Sequence, residues 1–207
     1  MSDVYYYILR YDDGTAPCVD SGILTLAICK PAIRRSAEKR DWIIGVSPKA
    51  HGHKLSYAAH ITARITGQKY YVARRFRGRG DCIYTFDRTR FQLRPRLFVH
   101  SEADKETDVG NYPGYKNAVI LKSARGSFWY FGDKAREITR EEYPALNHSL
   151  DRLKQGHRVY HSKKVRRELD EIIKALKRTK AGVRGHPRDP ARRISHDAKC
   201  SKYHGVC

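Results

Sequence analysis

The sequence predicts an α+β fold: a small curved sheet or open β-barrel carrying short helices, followed by a basic C-terminal helical extension. Three observations predict it. About seven strand-length apolar runs are interrupted by helices too short and too irregularly placed for a doubly wound sheet. Fourteen tyrosines against one methionine supply strand-forming aromatics. Beyond Asp133 the texture turns helical, and Val165, Leu169, Ile172, Ile173 and Leu176 form an apolar stripe at helical spacing. The expected division is 1–145 for the α+β domain, 146–180 for the basic helical extension and 181–207 for a basic, flexible tail.

The elements follow in order. Val4 to Arg10 alternates as a first strand and stops at the turn signal Asp12-Asp13-Gly14. Ile23 to Cys29 is a second strand-length run. Lys30-Pro31 then starts a helix, because proline is pre-organised for the first helical position and loses no needed donor there. Ala32, Ile33 and Ala37 can face inward from that helix, leaving Arg34, Arg35 and Lys39 outward. Trp42 to Val46 reads as a short buried strand, and Ser56 to Ile65 as one longer alternating strand. Thr66 is placed to cap a tyrosine-rich turn or helix over Gln68 to Arg74. Further strands are expected at Cys82–Thr85, Arg96–His100, Ala118–Lys122 and Ser127–Phe131, with the polar stretch Ser101 to Tyr115 as a surface loop. Ser149 to Gln155 is a short helix ending at Gly156, and Lys163 to Arg178 an amphipathic one. From Ala181 the periodicity vanishes into Gly, Pro and Arg, which predicts an extended or disordered tail.

The formal net charge is +20, with 17 Lys and Arg against 6 acids in residues 151–207 alone. That excess attracts polyanions, and nucleic acid is the partner it fits best. A membrane surface fits less well, since no apolar anchor accompanies the charge. No apolar run reaches membrane-spanning length and Met1-Ser2-Asp3 begins no secretory signal, so the expected location is cytoplasmic. Five cysteines at irregular spacings form no disulfide framework. The sequence leaves the oligomeric state open.

Several residue groups are candidates for chemistry. The block from Cys29 to Gly45 clusters Lys30, Arg34 and Arg35 before Asp41-Trp42, as a site for an anion beside an aromatic would. The loop Arg74 to Asp81 offers Arg74, Arg75, Arg77 and Arg79 around Phe76, Gly78 and Gly80, suited to phosphate contact and base stacking or simply to a charged hairpin tip. Cys29 precedes the Pro31 helix, where a thiolate would be stabilised with help from Lys30, although a cysteine there also packs as a strand end. Asp12 and Asp41 are general-base candidates beside Arg10 and Trp42, and a turn and a helix exit explain them equally well. His51, His53 and His60 lie close in sequence without an acidic companion. His60-Ile61-Thr62 matches the His-x-Thr of two-histidine phosphoesterases, yet neither His100-Ser101-Glu102 nor His161-Ser162-Lys163 supplies a second copy. His196, Cys200, His204 and Cys207 place four soft ligands in twelve residues, which suits zinc or else a basic tail that happens to hold them. No other cofactor is expected. Neither a phosphate-binding glycine loop nor a nucleophile elbow around a serine is found.

The succession YYYILRYDDGTAP, TLAICKPAIRRSA, RDWIIGVS and SYAAHIT resembles the type-2 nucleotide-modification-associated domain family over about residues 4–135. Its most specific parts are Thr25 to Pro31 and Asp41 to Gly45; Arg40 departs from the glycine more usual before Asp41. The resemblance implies a bacterial or phage protein that makes or handles modified DNA bases. The element order is also similar to PUA-like barrels (the EVE, ASCH and YTH group), which implies a base held in an aromatic-lined pocket. Mapped here, Trp42 with Tyr6 or Tyr57 would stack on the base, and Arg10, Lys30 and Arg34 would engage phosphate. The expected function is therefore recognition of a modified base in DNA, with the basic C-terminal helix and tail gripping the backbone. The first rival is an enzyme acting on the modified nucleotide (a glycosylase, nuclease or base-modifying transferase), with Asp12 or Asp41 as acid–base and Cys29 or His60 near the site. The second is a basic RNA- or ribosome-associated protein.

Overall fold

The computed structural model describes residues 2–94, 100–153 and 156–190. Its centre is a six-stranded sheet whose strands come from both ends of the chain: β11 (His157–Arg158), β1 (Val4–Ile8), β4 (Trp42–Val46), β5 (Leu55–His60), β10 (Phe128–Tyr130) and β12 (Gly182–Val183), in that spatial order. β1 runs parallel to β4, with Tyr5 opposite Ile43 and Tyr7 opposite Gly45. β5 is antiparallel to both β4 and β10, and β12 adds in parallel on the outer edge of β10.

Both faces of this sheet are covered. Val4, Tyr6, Trp42, Ile44, Ala58 and Trp129 pack with α4 (Pro144–Asp151) and α5 (Lys163–Lys177), whose apolar stripe fills that side. Tyr5, Tyr7, Ile43, Tyr57, Ala59 and Tyr130 point the other way, onto a four-stranded antiparallel sheet. That second sheet is ordered β2 (Cys18–Asp20), β3 (Ile23–Leu26), β9 (Val119–Ser123) and β6 (Ala63–Thr66). Period-2 alternation thus sends residues into two different cores, which is why Val4 to Tyr7 are buried without a break. Behind the second sheet lies a third core, built by α2 (Gly67–Tyr70), the hairpin of β7 (Tyr84–Phe86) and β8 (Phe91–Leu93), and α3 (Lys105–Val109). The fold is α+β with open sheets, and no closed barrel forms among the described residues.

The expected elements recur with instructive shifts. The second run stops as a strand at Leu26, so Cys29 falls in the turn before α1 (Pro31–Ser36). The single strand expected over Ser56 to Ile65 is two: β5 ends at His60, the chain bends at Ile61-Thr62, and β6 joins the other sheet. Ser101 to Tyr115 is not simply a surface loop. It holds a capping box at Ser101 and Asp104 and then α3, with Asp108 and Val109 buried. The fourth helix starts at Pro144 rather than Ser149, again with proline in the first turn. The strand expected at Arg96 to His100 lies, apart from His100, outside the described residues. Among the described residues no helix is long and apolar enough to cross a membrane.

The first part of the expected tail is ordered. Beyond β12 the chain docks on the Asp12 turn: Asp12 N–H donates to Asp189 Oδ2 at 2.9 Å and Asp189 N–H to Asp12 carbonyl at 2.8 Å. Arg188 donates to the Arg10 carbonyl at 2.8 Å, and Asp133 and His186 exchange hydrogen bonds. Gly185 is required there, since a Cβ would stand 2.0 Å from the Phe131 carbonyl oxygen.

Candidate active site

The turn from β3 into α1 carries an unusual backbone. Cys29 has φ 55° and Lys30 has φ 44°, ψ 47°, two consecutive non-glycine residues in the left-handed region. Such conformations cost free energy and persist only where the surroundings over-determine them. The surroundings here are specific. Cys29 N–H donates to Asp108 Oδ1 at 2.7 Å, and the Cys29 carbonyl accepts Arg34 Nε–H at 2.6 Å.

Those contacts bring three side chains into line. Cys29 Sγ lies 3.4 Å from His100 Nε2, and His100 Nδ1 lies 2.5 Å from Asp108 Oδ2. Tyr84 OH donates to the same carboxylate oxygen at 2.8 Å. Asp108 is wholly buried. Burial alone would raise its pKa, but the His100 charge and hydrogen bond, then Arg34 and the Cys29 N–H, hold it below the ordinary carboxylate value. An ionised carboxylate on Nδ1 fixes the imidazole so that Nε2 faces the sulfur, the order of a nucleophile–base–orienter relay. Cys29 keeps 8% of its surface and the His100 side chain 6%, so the relay lies just beneath the surface.

The three donor atoms lie within 4.8 Å of one another, which also suits a metal ion. The orientation argues for the relay. Cys29 and Asp108 occupy opposite ring nitrogens of His100, whereas an ion bound through one nitrogen leaves the partner on the other behind.

The residues singled out from the sequence are dispersed. Arg34, expected to face outward, is fully buried: α3 covers the face of α1 left open in the sequence reading. Its guanidinium donates to the carbonyls of Cys29, Asp108, Val119 and Asn117. Arg35 is exposed and donates to Asn117 Oδ1 at 2.9 Å. Lys30 is half-buried, with Nζ 5.1 Å above the Tyr7 ring. Trp42 is 4% exposed and stacked on Trp129 with centroids 5.9 Å apart, so no base can stack on it without displacing the core. Tyr6 and Tyr57 are likewise buried, bonded to Ser149 Oγ and to Tyr7 OH. Asp41 is occupied as a cap for the N–H groups of Asp3 and Glu38. His60 lies against Trp42, and burial followed by the Lys177 charge pulls its pKa down. Asp12 is buried against Tyr130 OH at 2.7 Å.

Of the arginine loop, Arg74, Arg75 and Arg77 are exposed, and Arg75 lies over the Phe76 ring. Arg79 is buried instead, donating to Cys18 O, Asp20 O, Tyr70 OH and Thr25 Oγ1 and pairing with Asp81. Arg10 is exposed in a groove of about 460 Å³ with Tyr11, Lys49 and His53. His196, Cys200, His204 and Cys207 lie outside the described residues. Cys29 is a candidate nucleophile from the sequence, which carries no sign of Asp108 and offers His100 only as half of a paired motif.

Comparison with known proteins agrees with the order of motifs in the sequence. A family model described as nucleotide modification associated domain 2 matches residues 1–193, which carries the likeness through α5 and β12. No curated protein and no solved structure matches the chain.

Proposed function

Since the chain belongs to the nucleotide modification associated domain 2 family, we propose that it is an enzyme processing a modified nucleobase in DNA, with Cys29 as nucleophile, His100 as base and Asp108 as the group that orients His100. Association with nucleotide modification comes with family membership. The observation that carries the catalytic part is the line Cys29 Sγ–His100 Nε2, His100 Nδ1–Asp108 Oδ2, at 3.4 and 2.5 Å. A thiol is a weak nucleophile until it loses its proton, and an imidazole held by a carboxylate removes it at neutral pH. Exposed Arg35, Arg74, Arg75 and Arg77 and the net charge of +20 support a nucleic-acid substrate over a free small molecule.

The test is mass spectrometry of nucleosides after incubating wild type and Cys29→Ala with DNA carrying modified cytosine, thymine or adenine. A change made by wild type and lost in the variant is expected. Unchanged nucleosides across the panel would overturn catalysis.

The same exposed arginines favour a second reading, a reader that binds modified DNA without altering it. Binding to matched plain and modified oligonucleotides over a salt series tests it. Equal affinities with a steep salt slope would leave backbone contact alone.

A further inference from the structure

We propose that the Cys29 site is an acyl-transfer centre, which attaches or removes an acyl group on an amine or hydroxyl of the nucleobase through a thioester on Cys29. The inference rests on the reading of Cys29 as the nucleophile and narrows what that nucleophile attacks.

The relay itself selects among thiol reactions. Alkyl transfer to sulfur needs only a thiolate, because the departing group leaves without a proton. Addition to a pyrimidine ring needs an acid at the ring nitrogen or oxygen, away from the sulfur. Acyl transfer is different: the amine or alkoxide leaving the carbonyl must be protonated, and the incoming acceptor must be deprotonated, both within reach of the attacked carbon. His100 Nε2, 3.4 Å from Sγ, sits where one imidazole does both. Asp108 is fixed for the imidazolium that forms in between. Its Oδ2 takes His100 and Tyr84, its Oδ1 takes the Cys29 N–H, and it stays ionised under burial.

The backbone points the same way. Cys29 stands on a sharp strand-to-helix turn, between β3 and α1, with φ 55°. Nucleophiles of acyl-transfer sites are held on strained strand-to-helix turns of this kind. The strain is pinned from both sides, by Asp108 at the Cys29 N–H and by Arg34 at its carbonyl.

The steps balance without an oxidant. The thiol proton passes to His100 Nε2 as sulfur bonds to the acyl carbon. The bond from that carbon to the leaving nitrogen or oxygen breaks, and His100 returns the proton to the leaving atom. In the second half, water or an amine or hydroxyl of the base gives its proton to His100 and attacks the thioester. The C–S bond then breaks, and the thiolate takes the proton back. Water as acceptor removes an acyl group; a nucleobase amine or hydroxyl as acceptor installs one.

The experiment uses the full chain with p-nitrophenyl acetate as acyl donor and iodoacetamide as a separate alkylating probe. The expected result is a burst of about one equivalent of p-nitrophenol, an acetyl mass mapped to the Cys29 peptide, and a burst slowed by roughly 10²- to 10⁴-fold in His100→Gln. Melting curves establish that the variant is folded, and Cys29→Ala gives no burst. Alkylation of Cys29 without acetylation would overturn acyl transfer and leave the nucleophile reading standing. Failure of both probes at Cys29 in folded protein would overturn both.

Discussion

Arg34→Met separates a structural arginine from a phosphate ligand. The wild-type guanidinium is fully buried and serves four carbonyls, at 2.6 Å to Cys29, 2.7 Å to Asp108 and 2.9 Å to Val119, with Asn117 as the fourth. It also stands 3.9 Å from the Asp108 carboxylate. Methionine replaces the aliphatic stem and leaves those oxygens without a donor. Orphaning a buried polar group costs about 1–3 kcal/mol, and removing one partner of a buried ion pair about 3–5 kcal/mol. The two figures describe overlapping losses, so about 4 kcal/mol is expected rather than their sum. For a chain of this length each kcal/mol moves Tm by about 2–4 °C, which gives a fall of roughly 8–16 °C. Arg35→Ala removes an exposed side chain with a hydrogen bond to Asn117 and shifts Tm by no more than about 2 °C. Scanning calorimetry at pH 7 reads both, and fluorescence anisotropy on duplex DNA accompanies it. If Arg34→Met melts with wild type while losing DNA affinity, the buried anchor is wrong and Arg34 is a surface ligand.

Three further expectations concern other parts of the fold. Burial pushes the Asp12 carboxyl up to about 6 against the pull of Tyr130 and Arg188, so the folded chain holds this proton more tightly than the unfolded one. Ionising Asp12 therefore costs stability in full above about pH 6, and the cost vanishes below the ordinary value near 4; Asp12→Asn gains about 1–2 kcal/mol at pH 8 and nothing at pH 4. Urea unfolding at the two pH values decides, and an equal gain at both contradicts the titration. Arg79→Met removes the anchor of its loop and costs about 3–5 kcal/mol, whereas Arg77→Ala leaves stability within about 0.5 kcal/mol and lowers the salt slope of DNA binding by about 1. The reverse pattern would make Arg79 the ligand. Gly45→Ala places a Cβ 2.2 Å from Tyr57 Cε1, deep in the sheet, and destabilises by about 1–3 kcal/mol. An unchanged melting temperature would mean that the Tyr57 ring moves aside freely.

The strands were legible where one period ran without interruption: Val4 to Ile8 and Trp42 to Val46 stand where the apolar runs place them. What period-2 reading could not tell was that both faces are covered, and so Trp42, Tyr6 and Tyr57 looked available for stacking when they are core. Ser56 to Ile65 shows the complementary failure. Its alternation continues through a bend that passes the chain from one sheet to another, and nothing in the alternation marks Ile61-Thr62. The spacing of α1 puts Arg34 on its polar face, and the element that covers that face, α3, lies in a stretch whose polar composition reads as loop. The relay joins residues 71 and 8 positions apart, with Asp108 in that polar stretch and His100 immediately before it. Only the packing of α3 onto α1 brings Asp108 to Cys29. A cysteine before a proline-started helix was the available signal, and it needed its partners.

The docking of Gly182 to Asp189 on β10 and on the Asp12 turn has a consequence for how the chain comes to be folded. Asp12 and Asp189 are 177 residues apart, and the sheet that contains β1 is not complete until β12, at residues 182 and 183, is synthesised. Until then β1 and β10 each wait with one edge unpaired, because β11 and β12 follow the other strands of the sheet in the sequence. The face later covered by α5 stays bare for the same interval. Assembly of this kind is slow, since distant loops must close before contacts reward them, and it leaves sticky edges exposed during translation. A chain halted after Asp133 would hold every residue of the Cys29–His100–Asp108 relay and still lack what makes its central sheet soluble.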